Sequence, residues 1–546
     1  MKLFSSFLAL SIAENTRRPN VILLNCDDFG IGDFQVYNKD GKVPTPNIDR
    51  IGNEGVKFLD GHSGSSRCSP SRYMLMTGRY SMEDSPSRKI GLGEPQLGEM
   101  FKNLATRRNL NATLEDERET RRLDKEFMEQ MKEYGESWGN FRPANDLPGT
   151  YIQSISPLDH SYDYSFTQSS VCCQPGGFYE NGKGIEPVDT WILQQPYPEE
   201  NTKKTNYDAN TGKCNEFPVS GYMGDIRQTD KFEGEFGELP LFHCNFPGQQ
   251  LAMKSYDTRL FDELVIPKVE QFIDESHEQE FFIYYGMRSG HKPFNTPIRF
   301  RNQTEAGMLG EMIMEADEIV GRIFDRLETY DIADDTLVVF MSDNGADGTA
   351  RKILEKYGHS QHRLDLPDRT IELSGAKNWN GEAGHRTPFL WRYPRRFAPS
   401  TIYDPKVAVS YVDVYATLAD LIGYDLDCNE APDSRSLVHY METGQANEQL
   451  IHTPVLTHAK NGPVVSLRKK EFKYVPESKE LYNMERDPEE KDNLYSKGGR
   501  ENLIEYLDGY LNHYLGHIEK REAATAKGKV KDSCYPTFER FHQFNF

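Results

Sequence analysis

Residues 20–28 read Asn-Val-Ile-Leu-Leu-Asn-Cys-Asp-Asp, an apolar run over Asn20–Asn25 that ends in the pair Asp27-Asp28. Two later stretches have the same form. Thr336–Met341 is rich in Leu, Val and Phe and runs into Ser342-Asp343-Asn344-Gly345. Glu280–Gly286 carries Phe-Phe-Ile-Tyr-Tyr and ends near His291-Lys292-Pro293. The runs are continuous rather than alternating, which is the pattern of parallel strands covered on both faces. Helical stretches are predicted among them at Pro95–Leu104, Leu251–Ser276 and Leu309–Thr329. Strands separated by helices predict an α/β fold, with a large, mixed but mostly parallel sheet sandwiched by helices.

All three runs place polar or charged residues just past their carboxyl ends, where open α/β sheets bind ligands. Asp27, Asp28, Asp343 and Asn344 are therefore candidates for one site. They offer only hard oxygen atoms, a donor set that favours Ca²⁺ or Mg²⁺ over Zn²⁺. Taken alone, Asp27-Asp28 reads as a helix cap or a solvated turn.

A second signal is Cys68-Ser-Pro-Ser-Arg72, followed by Thr77-Gly78-Arg79. The spacing suits a thiol in the first turn of a helix, because Pro70 has no N–H to waste and its φ is preset for helix entry. Helix N-termini attract anions. In isolation the pattern also fits a buried or disulfide-bonded cysteine.

The chain has 546 residues, enough for one large domain and a smaller one, and 12% aromatic residues for a packed interior. A formal charge of −21 argues against nucleic acid or an anionic membrane surface as the main partner. Met1–Ala13 reads as a short secretory signal, with Lys2, an apolar run and small residues at its end. No later apolar run is long enough to span a membrane. Eight cysteines fit an oxidising compartment. Setting aside Cys68, and Cys26 on a core strand, leaves Cys172, Cys173, Cys214, Cys244, Cys428 and Cys534, whose pairing is open. Asn111 and Asn302 head glycosylation sequons.

Cys68–Arg72 with Thr77-Gly78-Arg79 resembles the signature of the type I sulfatases, within the alkaline phosphatase superfamily. The resemblance runs from Pro19 to Leu494 and includes several motifs in the family's order. It implies that a formylglycine-generating enzyme oxidises Cys68 in the secretory pathway. The hydrated aldehyde then attacks sulfur and releases the alcohol, so that one hard step is split in two. It also implies that Asp27, Asp28, Asp343, Asn344 and the modified Cys68 hold a Ca²⁺ ion, with Mg²⁺ the lesser fit, and that Arg72 steadies the nucleophile. His291, in Gly-His-Lys-Pro-Phe, matches the residue that contacts sulfate and the leaving oxygen, a proton donor's place. Lys377, in Ser-Gly-Ala-Lys-Asn-Trp, matches a sulfate-binding lysine. In the segment that follows it, Glu382, Arg386 and Pro388 are expected to shape the loop, and Ala383 stands where the family has Gly.

Past Gly423, strands at Val464–Leu467 and Phe472–Val475 lead into an acidic, Pro-containing turn over Leu481–Pro488. This resembles the small C-terminal sheet domain of sulfatases. A helix is expected at Glu501–Leu515 and a mobile charged stretch at Arg521–Lys531. The expected organisation is a signal over 1–13, a catalytic domain over 19–424, and an α+β domain with a short antiparallel sheet over 425–546. The family and the signal imply a secreted or lysosomal protein acting on a sulfated small molecule or glycan. The oligomeric state is not legible.

One motif is missing. Sulfatases usually carry a Lys and a His two residues apart between the helix after the cysteine and a segment matched here by His160–Phe166. No His lies between those flanks; Thr106–Ser137 is instead highly charged and reads as an exposed helix or insert. A mis-joined coding sequence, a weakened enzyme, and replacement by residues such as Lys125 or Lys292 each account for it. Three functions follow: a formylglycine sulfatase acting on a sulfated carbohydrate, a pseudo-sulfatase that binds sulfated glycans, or a phosphate or phosphonate ester hydrolase on the same scaffold.

Overall fold

The computed structural model describes residues 18–80, 95–108, 261–291, 294, 296–427, 430–459 and 464–526, with short strands between 142 and 253. The central sheet has six strands. In chain order they are β1 (Asn20–Cys26), β2 (Val56–Phe58), β3 (Phe282–Gly286), β4 (Thr336–Ser342), β5 (Phe389–Arg392) and β6 (Ser400–Ile402). Their spatial order is β3-β1-β4-β5-β2-β6. β1 lies parallel to both β3 and β4, β5 is antiparallel to its neighbours β4 and β2, and β6 is parallel to β2.

The continuous apolar runs have a direct cause. Ile22, Leu24 and Cys26 of β1, with Val338 and Phe340 of β4, enter one core cluster together with Ile266, Ile313 and Ala316. Val21 and Leu23, with Leu337, Val339 and Met341, enter a second cluster with Leu75, Met100 and Leu418. Successive side chains on a strand point to opposite faces, so a strand with a core on each face needs an apolar residue at every position. β3 differs. It is an edge strand whose residues alternate between buried and partly buried, with Phe282 and Tyr284 only partly covered.

The helices fall on both faces. α1 (Pro46–Asn53), α4 (Phe261–Ser276) and α5 (Gly307–Thr329) cover the first; α2 (Cys68–Thr77), α3 (Leu97–Arg108) and α6 (Val414–Ile422) cover the second. The predicted helix over Leu251–Ser276 needs correction. It starts at Phe261, and Gln250–Met253 is a strand that pairs antiparallel with Trp191–Gln194. A cross-strand partner outweighed the weak local helix preference there.

A second sheet, β7 (Val455–Ala459), β8 (Val464–Lys469), β9 (Phe472–Val475) and β10 (Glu480–Asn483), is an antiparallel meander. With α7 (Glu501–Ala526) it forms a third core cluster that includes Tyr73 and Met74 of α2. The small sheet therefore packs on the helix that begins at Cys68. α7 continues through Arg521 to Ala526, past the predicted end at Leu515. Thr106–Ser137 beyond Arg108, Lys125, Lys292, Asn111 and Met1–Ala13 lie outside the described residues, as do the side chains of the six cysteines left for pairing. Asn302 is exposed. Among the described residues, no helix is long and apolar enough to cross a membrane.

His458 of β7 meets the loop before Cys68: its N–H donates to Gly64 O at 3.2 Å and its carbonyl accepts from Ser66 N–H at 2.7 Å. Its ring is buried, and both ring nitrogens lack a hydrogen-bond partner. Burial pushes its pKa down to about 4, below an ordinary value of 6.5. The folded state thus prefers the neutral ring. Stability is lost as pH falls below 6.5, and the loss is complete below about 4. Replacing His458 with Leu should reduce the stability lost between pH 7 and pH 4.5 by roughly 2–3 kcal/mol. Urea unfolding at the two pH values checks this, and an unchanged difference would refute it.

Candidate active site

β1, β3 and β4 end level: Asn25 is opposite both Gly286 and Met341, and Cys26 is opposite Ser342. That register puts Asp27-Asp28 beside Asp343-Asn344 at the carboxyl edge of the sheet. The four expected oxygen ligands converge, with Asp28 N–H 3.4 Å from Asp343 Oδ1 and Asn344 Nδ2 donating to Asp28 Oδ1 at 2.7 Å. Asp28, Asp343 and Asn344 are buried.

α2 delivers Cys68 to the same place. Its N-cap, Arg67, is extended and makes no side-chain cap, so Cys68 opens the helix with its first-turn N–H groups uncapped by a side chain. Gly78 closes the helix in the left-handed conformation, and a Cβ there would meet Ala431 Cβ at 2.4 Å. This accounts for the Gly of Thr77-Gly78-Arg79. One donor atom from each of Asp27, Asp28, Cys68 and His291 forms a group whose members all lie within 4.8 Å of one another. Lys377 Nζ donates to Cys68 Sγ at 3.2 Å and also pairs with Asp28. Arg72 Nε donates to Asp343 Oδ2 at 2.6 Å, and its terminal nitrogen lies 3.3 Å from Asp27 Oδ2. Among the described residues, the side chains named from the sequence as catalytic, metal-ligating or sulfate-binding therefore fall in one cluster.

Close approaches hold it together. A Cβ on Gly290 would fall 2.1 Å from Asp27 O, and Gly290 has φ +105. The loop that carries His291 can press on Asp27 only because residue 290 has no side chain. Ser289 Oγ lies within hydrogen-bonding distance of the carboxylates of Asp262 and Glu315, which steadies that loop from α4 and α5. A Cβ on Gly345 would fall 1.7 Å from Ala383 O, so the turn after Asn344 packs directly on the loop after Lys377. Ala383 itself lies in a short 3₁₀ turn, where its methyl is accommodated in place of the family's Gly.

The cluster is short of positive charge. Burial pushes the Asp343 carboxyl up to about 7; Asp27 and Asp28 add to the effect, and Arg72 and Lys377 oppose it. Burial, then Asp27 and Asp343, push the Cys68 thiol well above its ordinary range. An unmodified Cys68 is thus kept protonated, a poor nucleophile. Burial would lower Lys377, but Asp28, Cys68 and Asp27 outweigh it and hold its ammonium. Two inward oxygen atoms, Asp27 Oδ1 and Asn344 Oδ1, are buried without a hydrogen-bond partner. Unpaired oxygen acceptors among three carboxylates fit a hard divalent cation held by Asp27, Asp28, Asp343 and Asn344.

A second buried cluster went unread in the sequence. His62 Nδ1 lies 2.9 Å from His385 Nδ1, and His62 Nε2 lies 2.8 Å from Asp60 Oδ1. Glu382 meets Arg386, Arg468 and Lys473, the last two from β8 and β9. His62, Glu382 and His385 are near enough to share an ion. Three cationic side chains already neutralise Glu382, however, which makes this an ion-pair joint between the small sheet and the Lys377 loop.

The sulfatase family model matches residues 19–110 and 168–424, and passes over the stretch that contains most of the charged insert. An N-acetylgalactosamine-6-O-sulfatase of Bacteroides thetaiotaomicron is 26% identical over 520 residues, covering 88% of this chain and 90% of its own. Human steryl-sulfatase is 26% identical over 451 residues, covering 80% of this chain and 72% of its own. A solved Bacteroides thetaiotaomicron structure, described in terms of the metabolism of multiple glycosaminoglycans, superposes with a TM-score of 0.63 at 22% identity. It covers 91% of this chain and 99% of its own, and shows the same fold.

The Gly290 contact is open to a direct test. Gly290→Ala should cost roughly 2–4 kcal/mol, from strained backbone and the clash with Asp27. Gly509→Ala, in mid-α7 with nothing within 4 Å, should be neutral or stabilising. Urea unfolding of the two variants side by side measures both. Equal stabilities would contradict the close approach of Gly290 to Asp27.

Proposed function

The chain belongs to the sulfatase family, and from that premise we propose that it hydrolyses sulfate esters of a carbohydrate, through a formylglycine made from Cys68 and a bound Ca²⁺ ion. The observation that carries the reading is the meeting of Cys68 at a helix start with three carboxylates, Asn344, Lys377, Arg72 and His291. When present, the ion would hold a sulfate oxygen and offset developing charge, and the formylglycine would supply the nucleophilic oxygen.

The chain's own groups do the rest. Lys377 presents a compact positive charge beside Cys68 and binds the sulfate. Arg72, tied to Asp343 and Asp27, would steady the formylglycine side chain at residue 68. His291 is partly exposed, with Nε2 3.7 Å from Asp28 Oδ2, and carries a proton to the departing alcohol oxygen.

Trp379 favours a sugar. It is 69% exposed, two residues after Lys377. Asn378, at φ +73, turns the chain there, and its N–H donates to Ser66 O at 2.8 Å, pinning the turn beside Cys68. A flat aromatic face held in solvent next to the sulfate site suits the apolar face of a pyranose. Sugar sulfates are also what the relative from Bacteroides thetaiotaomicron is named for. Maturation by a formylglycine-generating enzyme, passage to the cell exterior or the lysosome, and glycosylation at the exposed Asn302 belong to the same reading.

A second reading is a binder of sulfated glycans with weakened turnover. It is favoured by the stretch between Leu104 and His160, which holds no His for a Lys-x-His pair. Sequencing the transcript across the codons for Lys102 to Asp159 tells a mis-joined reading frame from a real departure.

The decisive experiment uses protein made together with a formylglycine-generating enzyme, assayed on sulfated N-acetylhexosamine oligosaccharides, an aryl sulfate and an aryl phosphate. The expected result is sulfate ester hydrolysis well above phosphate, lost by at least about 10³-fold in Cys68→Ala. Full activity in Cys68→Ala, or a preference for phosphate, would sink the proposal. Trp379→Ala should raise KM on the sulfated sugar about tenfold, equivalent to about 1.4 kcal/mol, and leave inhibition by inorganic sulfate unchanged. Equal KM values would remove Trp379 from the sugar site.

A further inference from the structure

The acidic turn after β10 reaches back to the catalytic domain. Glu490, at φ +59, follows Asp487-Pro488-Glu489, and its side chain is 5% exposed. Its Oε2 accepts from Glu382 N–H at 2.8 Å and from the Ser374 hydroxyl. Its Oε1 pairs with Lys473 Nζ at 2.7 Å. Lys473 in turn donates to Asn380 O at 2.5 Å and to Glu382 Oε1 at 3.0 Å. Next to Glu490, Glu489 accepts from Glu372 N–H at 3.2 Å.

Ser374 and Glu382 are the two sides of a neck, and Lys377 lies on the loop between them. Ala383 N–H closes the neck on Ser374 O at 2.7 Å. Gly375 and Gly381 pack so tightly that a Cβ on Gly375 would lie 2.8 Å from Gly381 Cα. One carboxylate from the small domain thus grips both sides of the loop that presents Lys377 to Cys68. A carboxylate that accepts from a backbone N–H, a hydroxyl and a buried ammonium at once is fixed in place, and it fixes what it binds.

We propose that Glu490 is a positioning residue for Lys377, so that the small C-terminal domain sets the affinity of the site for sulfate. The proposal rests on the reading of Lys377 as the sulfate-binding lysine. Glu490 touches neither substrate nor cation; it acts by holding the loop, and Lys473 holds Glu490.

The test is calorimetric titration of the full chain with inorganic sulfate, in four forms: unaltered, Glu490→Gln, Lys377→Ala and the double variant. Glu490→Gln keeps the shape and removes the charge that Lys473 answers. Sulfate binding should weaken about tenfold in Glu490→Gln, more in Lys377→Ala, and no further when Glu490→Gln is added to Lys377→Ala. A general loosening of the fold would weaken binding by the same factor with or without Lys377, and that result would overturn the proposal. So would a Glu490→Gln affinity within twofold of the unaltered chain. If Lys377→Ala binds sulfate normally, the reading of Lys377 itself fails, an outcome distinct from failure of the clamp. Should Glu490→Gln not fold, Ser374→Ala, which removes only one hydroxyl from the grip, takes its place. It should weaken binding severalfold when Lys377 is present and not when it is absent, and equal factors would again refute the clamp.

Discussion

Three carboxylates crowd one edge of a buried sheet, and much of the molecule is arranged to tolerate them. Asp27, Asp28 and Asp343 are brought together by strand register, so their backbones stay side by side as long as β1 and β4 remain paired. Burying like charges is costly unless opposite charges and hydrogen bonds answer them. Arg72 and Lys377 supply part of the answer. Each depends on a distant element: Arg72 on α2, and Lys377 on a loop closed by Glu490. Gly286 leaves the space that the Arg72 guanidinium fills, since a Cβ there would lie 2.9 Å from its Nη1. The helix start at Cys68 adds partial positive charge from its uncapped N–H groups.

The same constraint explains why the small domain is more than an appendage. Its sheet packs behind α2 through Tyr73 and Met74, and its basic residues Arg468 and Lys473 are buried against Asp60 and Glu382. Removing one partner of these pairs would leave the other charge buried and unanswered, a penalty larger than the loss of ordinary surface contacts. The joint therefore favours one arrangement of the Lys377 loop over many, which is what a preorganised anion site needs.

Much of this was legible in the sequence because its causes are local. β1 and β4 read as buried strands because a core on each face demands an apolar residue at every position. Cys68 read as a helix start from Pro70, two residues on. The candidate ligands could be named because they sit just past the carboxyl ends of predicted strands, where open α/β sheets bind ligands. What escaped depends on pairing across long separations. Gln250–Met253 became a strand because Trp191–Gln194 lay beside it. Glu382 was expected only to shape a loop, although it bonds to residues about 90 positions later. Glu490 lies two residues past the turn marked at Leu481–Pro488, and nothing nearby says that its carboxylate faces Ser374. The meeting of His62 with His385 is not legible either, because it joins residues 323 positions apart.

The charge count also bears on the missing Lys-x-His pair. Within the proposed reading, the three carboxylates are answered by Arg72, Lys377 and the proton that His291 carries. A divalent cation then gives these groups two positive charges, one more than a sulfate monoester cancels and as many as a dianionic phosphate monoester carries. The charge of these groups therefore admits either ester, and a further lysine would add a third positive charge. Among the described residues the positive charge already suffices to bind a sulfate ester without that lysine, so the consequence of losing it falls on the transition state, where extra charge develops. Loss of rate with retention of sulfate binding is the physical signature of such a site.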